Sequence, residues 1–189
     1  MKTQRFFIAL IISLCASGAF SRNVVLAQTV TLHPARDKAT GKYDEGKACF
    51  DFKSGGLRNG AKGRWDLGYG FASINGEDWF ILSGSNEVRS VIKDIGEFNW
   101  NDSFKVPALK PLPELPKGEP RQVVVDASAD TGKAWERTTN IMAKVITGHI
   151  YLMRIKDEES DFYVLFRVED FKQDEFCAIT WKFTQTSDQ

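Results

Sequence analysis

The stretch from Gly63 to Gly76 reads Gly-Arg-Trp-Asp-Leu-Gly-Tyr-Gly-Phe-Ala-Ser-Ile-Asn-Gly, and it admits few folds. Trp65, Leu67, Tyr69 and Phe71 fall on alternate positions, so a pleated strand places all four on one face. Asp66, Gly68, Gly70 and Ala72 then lie on the other face, where the glycines let a second element approach closely. Asn75-Gly76 supplies a turn. A chain built around such a strand must place further strands beside it.

The flanks provide them. Ala48 to Phe52 alternates apolar and polar and is stopped by Ser54-Gly55-Gly56. Asp78 to Leu82 is a short apolar run bounded by turn residues, with the length of a buried strand. Ile150 to Lys156, the turn Asp157 to Asp161 and the return Phe162 to Val168 form a hairpin, and Phe176 to Phe183 is a last strand. Val88 to Ile95 fits a helical turn as well as a strand. Phe98, Trp100 and Phe104 are spaced irregularly, like a loop held down by aromatics.

Pro107, Pro111, Pro113, Pro116 and Pro120 predict a stiff crossing over the surface, since proline at that density fits neither an interior strand nor a helix. Gln122 to Asp126 is a strand candidate. Ala134 to Val145 has features of both helix and strand, with strand favoured for its later part. Many short strands and few helices predict an all-β domain. It is mainly an antiparallel sandwich or barrel-like sheet, with at most one or two short helices.

The chain start reads as an export leader over residues 1–27: Lys2 and Arg5, an apolar segment from Phe6 to Leu14, and small residues at Val25 and Ala27 ahead of Gln28. The apolar segment is too short to span a bilayer, and no transmembrane span is expected elsewhere. Cys15 is a poor lipidation site, because bulky Leu14 precedes it. Residues 28–47 are expected to be a polar lead crossing the surface, and residues 48–189 a single β domain. The expected location is therefore beyond the cytoplasmic membrane, periplasmic or extracellular.

The whole chain carries 25 basic and 25 acidic residues. Lys2, Arg5 and Arg22 fall within the leader, so the remainder has 22 basic against 25 acidic residues, a net charge of −3. That mild acidity, without a basic stripe, argues against nucleic acid as partner. Cys49 and Cys177 remain after the leader, and an exported chain gives such a pair the option of a disulfide. Chain entropy would give a loop that long roughly 4–5 kcal/mol. Alternation puts Cys177 on an apolar face and Cys49 on a polar one, so a bond and two separate thiols both stay open.

No catalytic motif is present: neither a Gly-x-Ser-x-Gly elbow nor a phosphate-binding glycine loop occurs. The expectation is a protein that is not an enzyme. His33 and His149 are too far apart for a spaced metal motif. The acid runs Asp157-Glu158-Glu159 and Glu169-Asp170 lack the glycine punctuation of a calcium loop and read as solvated turns. Most aromatics serve a β core, while Trp100 and Trp135 lie outside clear strands and are the candidates for a stacking platform.

Trp65-Asp66-Leu67-Gly68-Tyr69 with Asn75-Gly76 resembles the HmuY-type secreted haem-binding proteins. So do Phe50-Asp51-Phe52, Gly148 to Arg154, Asp161 to Phe166 and Ala178 to Trp181. The resemblance implies a largely β fold, a non-catalytic binding role, and haem or a related porphyrin gripped between histidine or methionine side chains. His149, Met142 and Met153 are the candidate ligands here, although none aligns with a known ligand position. The alternative partner is a glycan, bound at Trp100 or Trp135 by a carbohydrate-binding or adhesion domain. Within the opening stretch, Asp66 is expected to bond a neighbouring backbone and the glycines to permit close packing, which moves any binding site towards the loops around Trp100 and His149.

Overall fold

The computed structural model describes residues 27–37, 39–58, 63–74, 76–83, 89–100, 106–112 and 141–185. Residues 1–26 of the leader with Cys15, and Asn75, Val88, Phe104, Pro113, Pro116 and Pro120, the 122–126 strand candidate and Trp135 lie outside the described residues.

Among the described residues, ten strands form two five-stranded antiparallel sheets that do not close into a barrel. The first sheet runs in the order β1 (Gln28–Leu32), β10 (Phe176–Thr184), β9 (Asp161–Lys172), β8 (Ile150–Lys156), β6 (Val91–Gly96). The second runs β3 (Gly56–Arg58), β2 (Cys49–Asp51), β4 (Leu67–Ile74), β5 (Glu77–Leu82), β7 (Met142–Lys144). The helical content of the described residues is a single 3-10 turn at Glu45–Lys47, capped by the Asp44 side chain. The ambiguous Val88 to Ile95 segment is strand from Val91, because Val91 and Ile92 both find burial against β8.

Alternation decides which side chains meet between the sheets. Asp78, Phe80 and Leu82 of β5 turn inward while Glu77, Trp79 and Ile81 turn out. From β8, Tyr151, Met153 and Ile155 face the same core, as do Val164, Phe166 and Val168 of β9 and Cys177, Ile179 and Trp181 of β10. Aromatic rings bridge the layers. Phe166 stacks on Tyr151 with centroids 4.9 Å apart, and Phe80 meets both rings edge-on at 5.2 and 5.4 Å. Phe50 and Phe52 meet Trp181 edge-on, at 5.7 and 5.2 Å. Such pairs each contribute about 0.5–1.5 kcal/mol beyond the area they bury.

Two expectations are corrected. Part of the polar lead is β1, an edge strand paired residue for residue with β10, and Leu32 and Ala35 are fully buried. An edge strand needs only one apolar face, and Val30 and Leu32 suffice between threonines. The second correction concerns the aromatic strand. Leu67 and Tyr69 do enter the core, but Gly70 adopts φ +67° and the pairing with β5 shifts register beyond Tyr69. Phe71 therefore emerges on the opposite face, where it stacks on Trp65 (5.7 Å, 10° between planes) directly above Gly68. The four residues line two faces, not one. Asp66 does bond a neighbouring backbone: its carboxylate accepts the Phe52 N–H at 2.9 Å.

The outer face of the first sheet has its own apolar cluster. Ile150, Leu152 and Leu165 are covered by Val106, with Ile95, Phe98, Trp100, Leu109 and Tyr163 packed around them. The described part of the proline stretch, residues 106–112, crosses this face as a strap. Arg154 Nη1 donates to the Leu109 carbonyl at 2.8 Å, and the Tyr163 hydroxyl accepts the Leu109 N–H at 3.2 Å. Arg89 Nε donates to the Leu112 carbonyl at 2.6 Å. Among the described residues, no helix is long and apolar enough to cross a membrane.

Candidate functional site

The β7–β8 connection positions His149. Tyr151, on β8, donates its hydroxyl to the Lys144 carbonyl at 2.6 Å and accepts the Ile146 N–H at 3.0 Å, which pins the connection against the sheet. Burial, with a smaller contribution from Asp94, pushes the Tyr151 phenol well above the usual tyrosine range, so it stays protonated and keeps donating. Gly148 turns the chain with φ +83°, and its N–H donates to the Val168 carbonyl at 2.9 Å. The His149 carbonyl accepts the Val168 N–H at 3.1 Å. The backbone of the histidine is thus tied to β9 on both sides.

Its ring is tied to β6. His149 Nδ1 lies 3.0 and 2.9 Å from the two carboxylate oxygens of Asp94, with the side chains 24% and 32% exposed. Asp94 is itself held by the Gly96 N–H at 2.8 Å, in the bulge where Gly96 takes φ +80°. A carboxylate only accepts, so Nδ1 carries the hydrogen, and the lone pair of the neutral ring is then on Nε2. Metal-ligating histidines are oriented by a carboxylate in this way. Arrangement and chemistry agree.

Trp100 lies on the outer face of the first sheet with Ile150, Leu152 and Leu165, whereas Asp94 pairs with Tyr151, which faces the inter-sheet core. Ile150, which follows His149, pairs with Arg167 on β9, and the Arg167 guanidinium is 5.8 Å from the Trp100 ring centroid. Lys182 Nζ is closer, 4.4 Å from the centroid, and donates to the Trp100 carbonyl at 3.2 Å. Burial lowers the Lys182 pKa from its ordinary value. Arg167 also grips Glu169 with Nε and Nη2, at 2.8–3.1 Å. The ring is half-buried against the Ile150–Leu152–Leu165 cluster, so it is a wall more than a free platform.

The other candidates are dispersed. Met153 is fully buried between the sheets, and Met142 is buried on β7 of the second sheet, opposite Ile81. Neither thioether joins His149. His33 is exposed, with Nδ1 3.1 Å from the Glu175 carbonyl oxygen. Cys49 and Cys177 are both buried, and no disulfide joins them. Cys177 faces the inter-sheet core, whereas Cys49 pairs with Gly68 and shares its outward side, so a sheet separates the two. Burial pushes the Cys177 thiol far above its ordinary pKa, as do Asp78 and Asp170, which makes it a poor nucleophile.

Three features were not singled out from the sequence: Asp94, the cations around Trp100, and a buried hub at Asp78. Asp78 accepts the Tyr69 hydroxyl at 2.7 Å and the Asp174 N–H at 2.8 Å, which joins the second sheet to the β9–β10 turn. The acid runs are engaged as ion pairs, with Arg64 on Asp157 and Glu159 and Lys172 on Glu175. Among the described residues, no group of three His, Cys, Asp or Glu side chains is placed to hold a metal ion. Fold and site together define a two-sheet antiparallel β domain with a carboxylate-oriented histidine at one end. No family model, curated protein or solved structure matches the chain.

Proposed function

We propose that the chain is an exported, non-catalytic binding domain whose ligand is haem or a related porphyrin, with His149 as the ligating side chain. The observation that carries this reading is the Asp94–His149 pair, which leaves Nε2 as the ligating atom on a ring that is three-quarters buried and fixed in place. Porphyrin iron binds such an imidazole as an axial ligand. The leader sequence and the HmuY-type resemblance support the same reading.

Haemin titration of the purified domain tests the proposal. A Soret shift saturating at one equivalent is expected. His149→Ala should lose it, and Asp94→Asn should weaken binding about 10–100-fold. Met153→Ala should leave the spectrum of the complex unchanged. An undiminished shift in His149→Ala removes His149 from the role.

A second reading rests on Trp100, where an aromatic ring with two cations beside it suits an acidic sugar. Binding of a uronate-containing glycan that collapses in Trp100→Ala, without any haemin response, would favour it.

A further inference from the structure

We infer that Gln28 is a modification site, and that it cyclises to pyroglutamate once the leader is removed. The inference rests on the export reading, and adds a covalent step to it. Two independent features meet at this residue. The small-residue pattern of Val25 and Ala27 places the leader cut between Ala27 and Gln28. The first strand begins on that same residue, with β1 paired from Gln28 opposite Trp181 to Leu32 opposite Cys177. Ala27 and Gln28 are both exposed.

An amino-terminal glutamine carries its own electrophile. Its α-amine attacks the side-chain amide carbon Cδ, an N–Cδ bond forms and closes a five-membered lactam, and the Cδ–Nε2 bond breaks. The amide nitrogen leaves as ammonia with the proton given up by the amine. No oxidant or co-reactant is needed. The Gln28 carboxamide lies over Gly55, with Oε1 3.3 Å from the point a Cβ there would occupy.

The fold gives the lactam a use. β1 is an edge strand whose inner residue Leu32 is fully buried in the core. A cut after Ala27 leaves no spare residues ahead of it, so each one removed by an aminopeptidase shortens the β1–β10 ladder. The lactam keeps one N–H and the carbonyl, the two groups a strand residue offers its neighbour, and removes the α-ammonium that aminopeptidases require.

The full chain, exported by a secreting host, tests this by intact mass and amino-terminal sequencing. The expected mass is that of residues 28–189 less one ammonia. Sequencing should be blocked until pyroglutamyl peptidase treatment, and should then read Thr29-Val30-Thr31. Gln28→Ala should give an open terminus that an aminopeptidase trims while the parent resists. An unmodified mass that sequences directly from Gln28 would overturn the cyclisation but leave the export reading standing. A different start, or a lipid on Cys15, would overturn both.

Discussion

Among the described glycines, Gly70 carries the sharpest steric requirement. Its φ is +67°, and an added Cβ would stand 2.5 Å from the Pro34 Cα, a backbone atom that has no rotamer to yield. Gly70→Ala should cost about 2–4 kcal/mol, measured by urea unfolding, since both strain and overlap must be relieved. Gly68→Ala meets only the ring edges of Phe71 and Trp65, at 2.7 and 3.0 Å, and should cost less because those side chains can move outward. Asp66 gives a pH prediction. Burial pushes its carboxyl up to about 7 from an ordinary 3.8, helped by Asp51 and Asp157 and opposed by the Phe52 N–H and Arg64. The folded state therefore holds a proton that the unfolded state has released. Stability from this group is full below about pH 4, falls as the pH rises, and is lost above about 7. Thermal melts of Asp66→Asn should lack that slope. The backbone bond of Asp66 was legible in the sequence because Asp sits amid close-packed glycines. The partner of His149 was not, because Asp94 lies 55 residues away and only the β6–β8 register brings them together.

Among the elements, strands with strict alternation were readable and strands made by context were not. β9 and β10 carry their apolar faces in the sequence at period two, while β5 and β8 are apolar runs whose inner face only the pairing decides. β1 has five residues and a mostly exposed surface, and it exists because β10 offers it an open edge. Leu32→Ala should accordingly cost about 2–5 kcal/mol, as a core position and not as part of a surface lead. The two halves of the aromatic strand diverge for a similar reason: one left-handed glycine resets the faces, and side-chain type alone does not disclose which glycine does so. The Asp78 hub joins β4, β5 and the β9–β10 turn, where Asp174 takes φ +59°. Tyr69→Phe leaves a carboxylate that is 4% exposed with one donor fewer, and should cost about 1–3 kcal/mol in urea unfolding.

For the molecule as a whole, the class of fold followed from periodicity, while the division into sheets did not. Sheet order depends on which edges remain open after hairpins form, and the chain moves between sheets at connections whose sequence carries no such instruction. The candidate site shows the same limit. The region around Trp100 and His149 was identified from residues left over once the core was accounted for, but the structure packs Trp100 over the outer-face Ile150, Leu152 and Leu165 and ties His149 to Asp94, which pairs with inward-facing Tyr151. Met142 and Met153 shared the chemical type of a ligand but satisfied the core instead. The central claim is that Nε2 of His149 is the ligating atom. ¹⁵N-histidine-labelled domain titrated with diamagnetic gallium protoporphyrin tests it at that atom, because only His33 and His149 contribute imidazole signals. The prediction is a coordination shift at one Nε2, absent in His149→Ala and retained in His33→Ala. Two unmoved imidazoles, or a shift that follows His33, would contradict it.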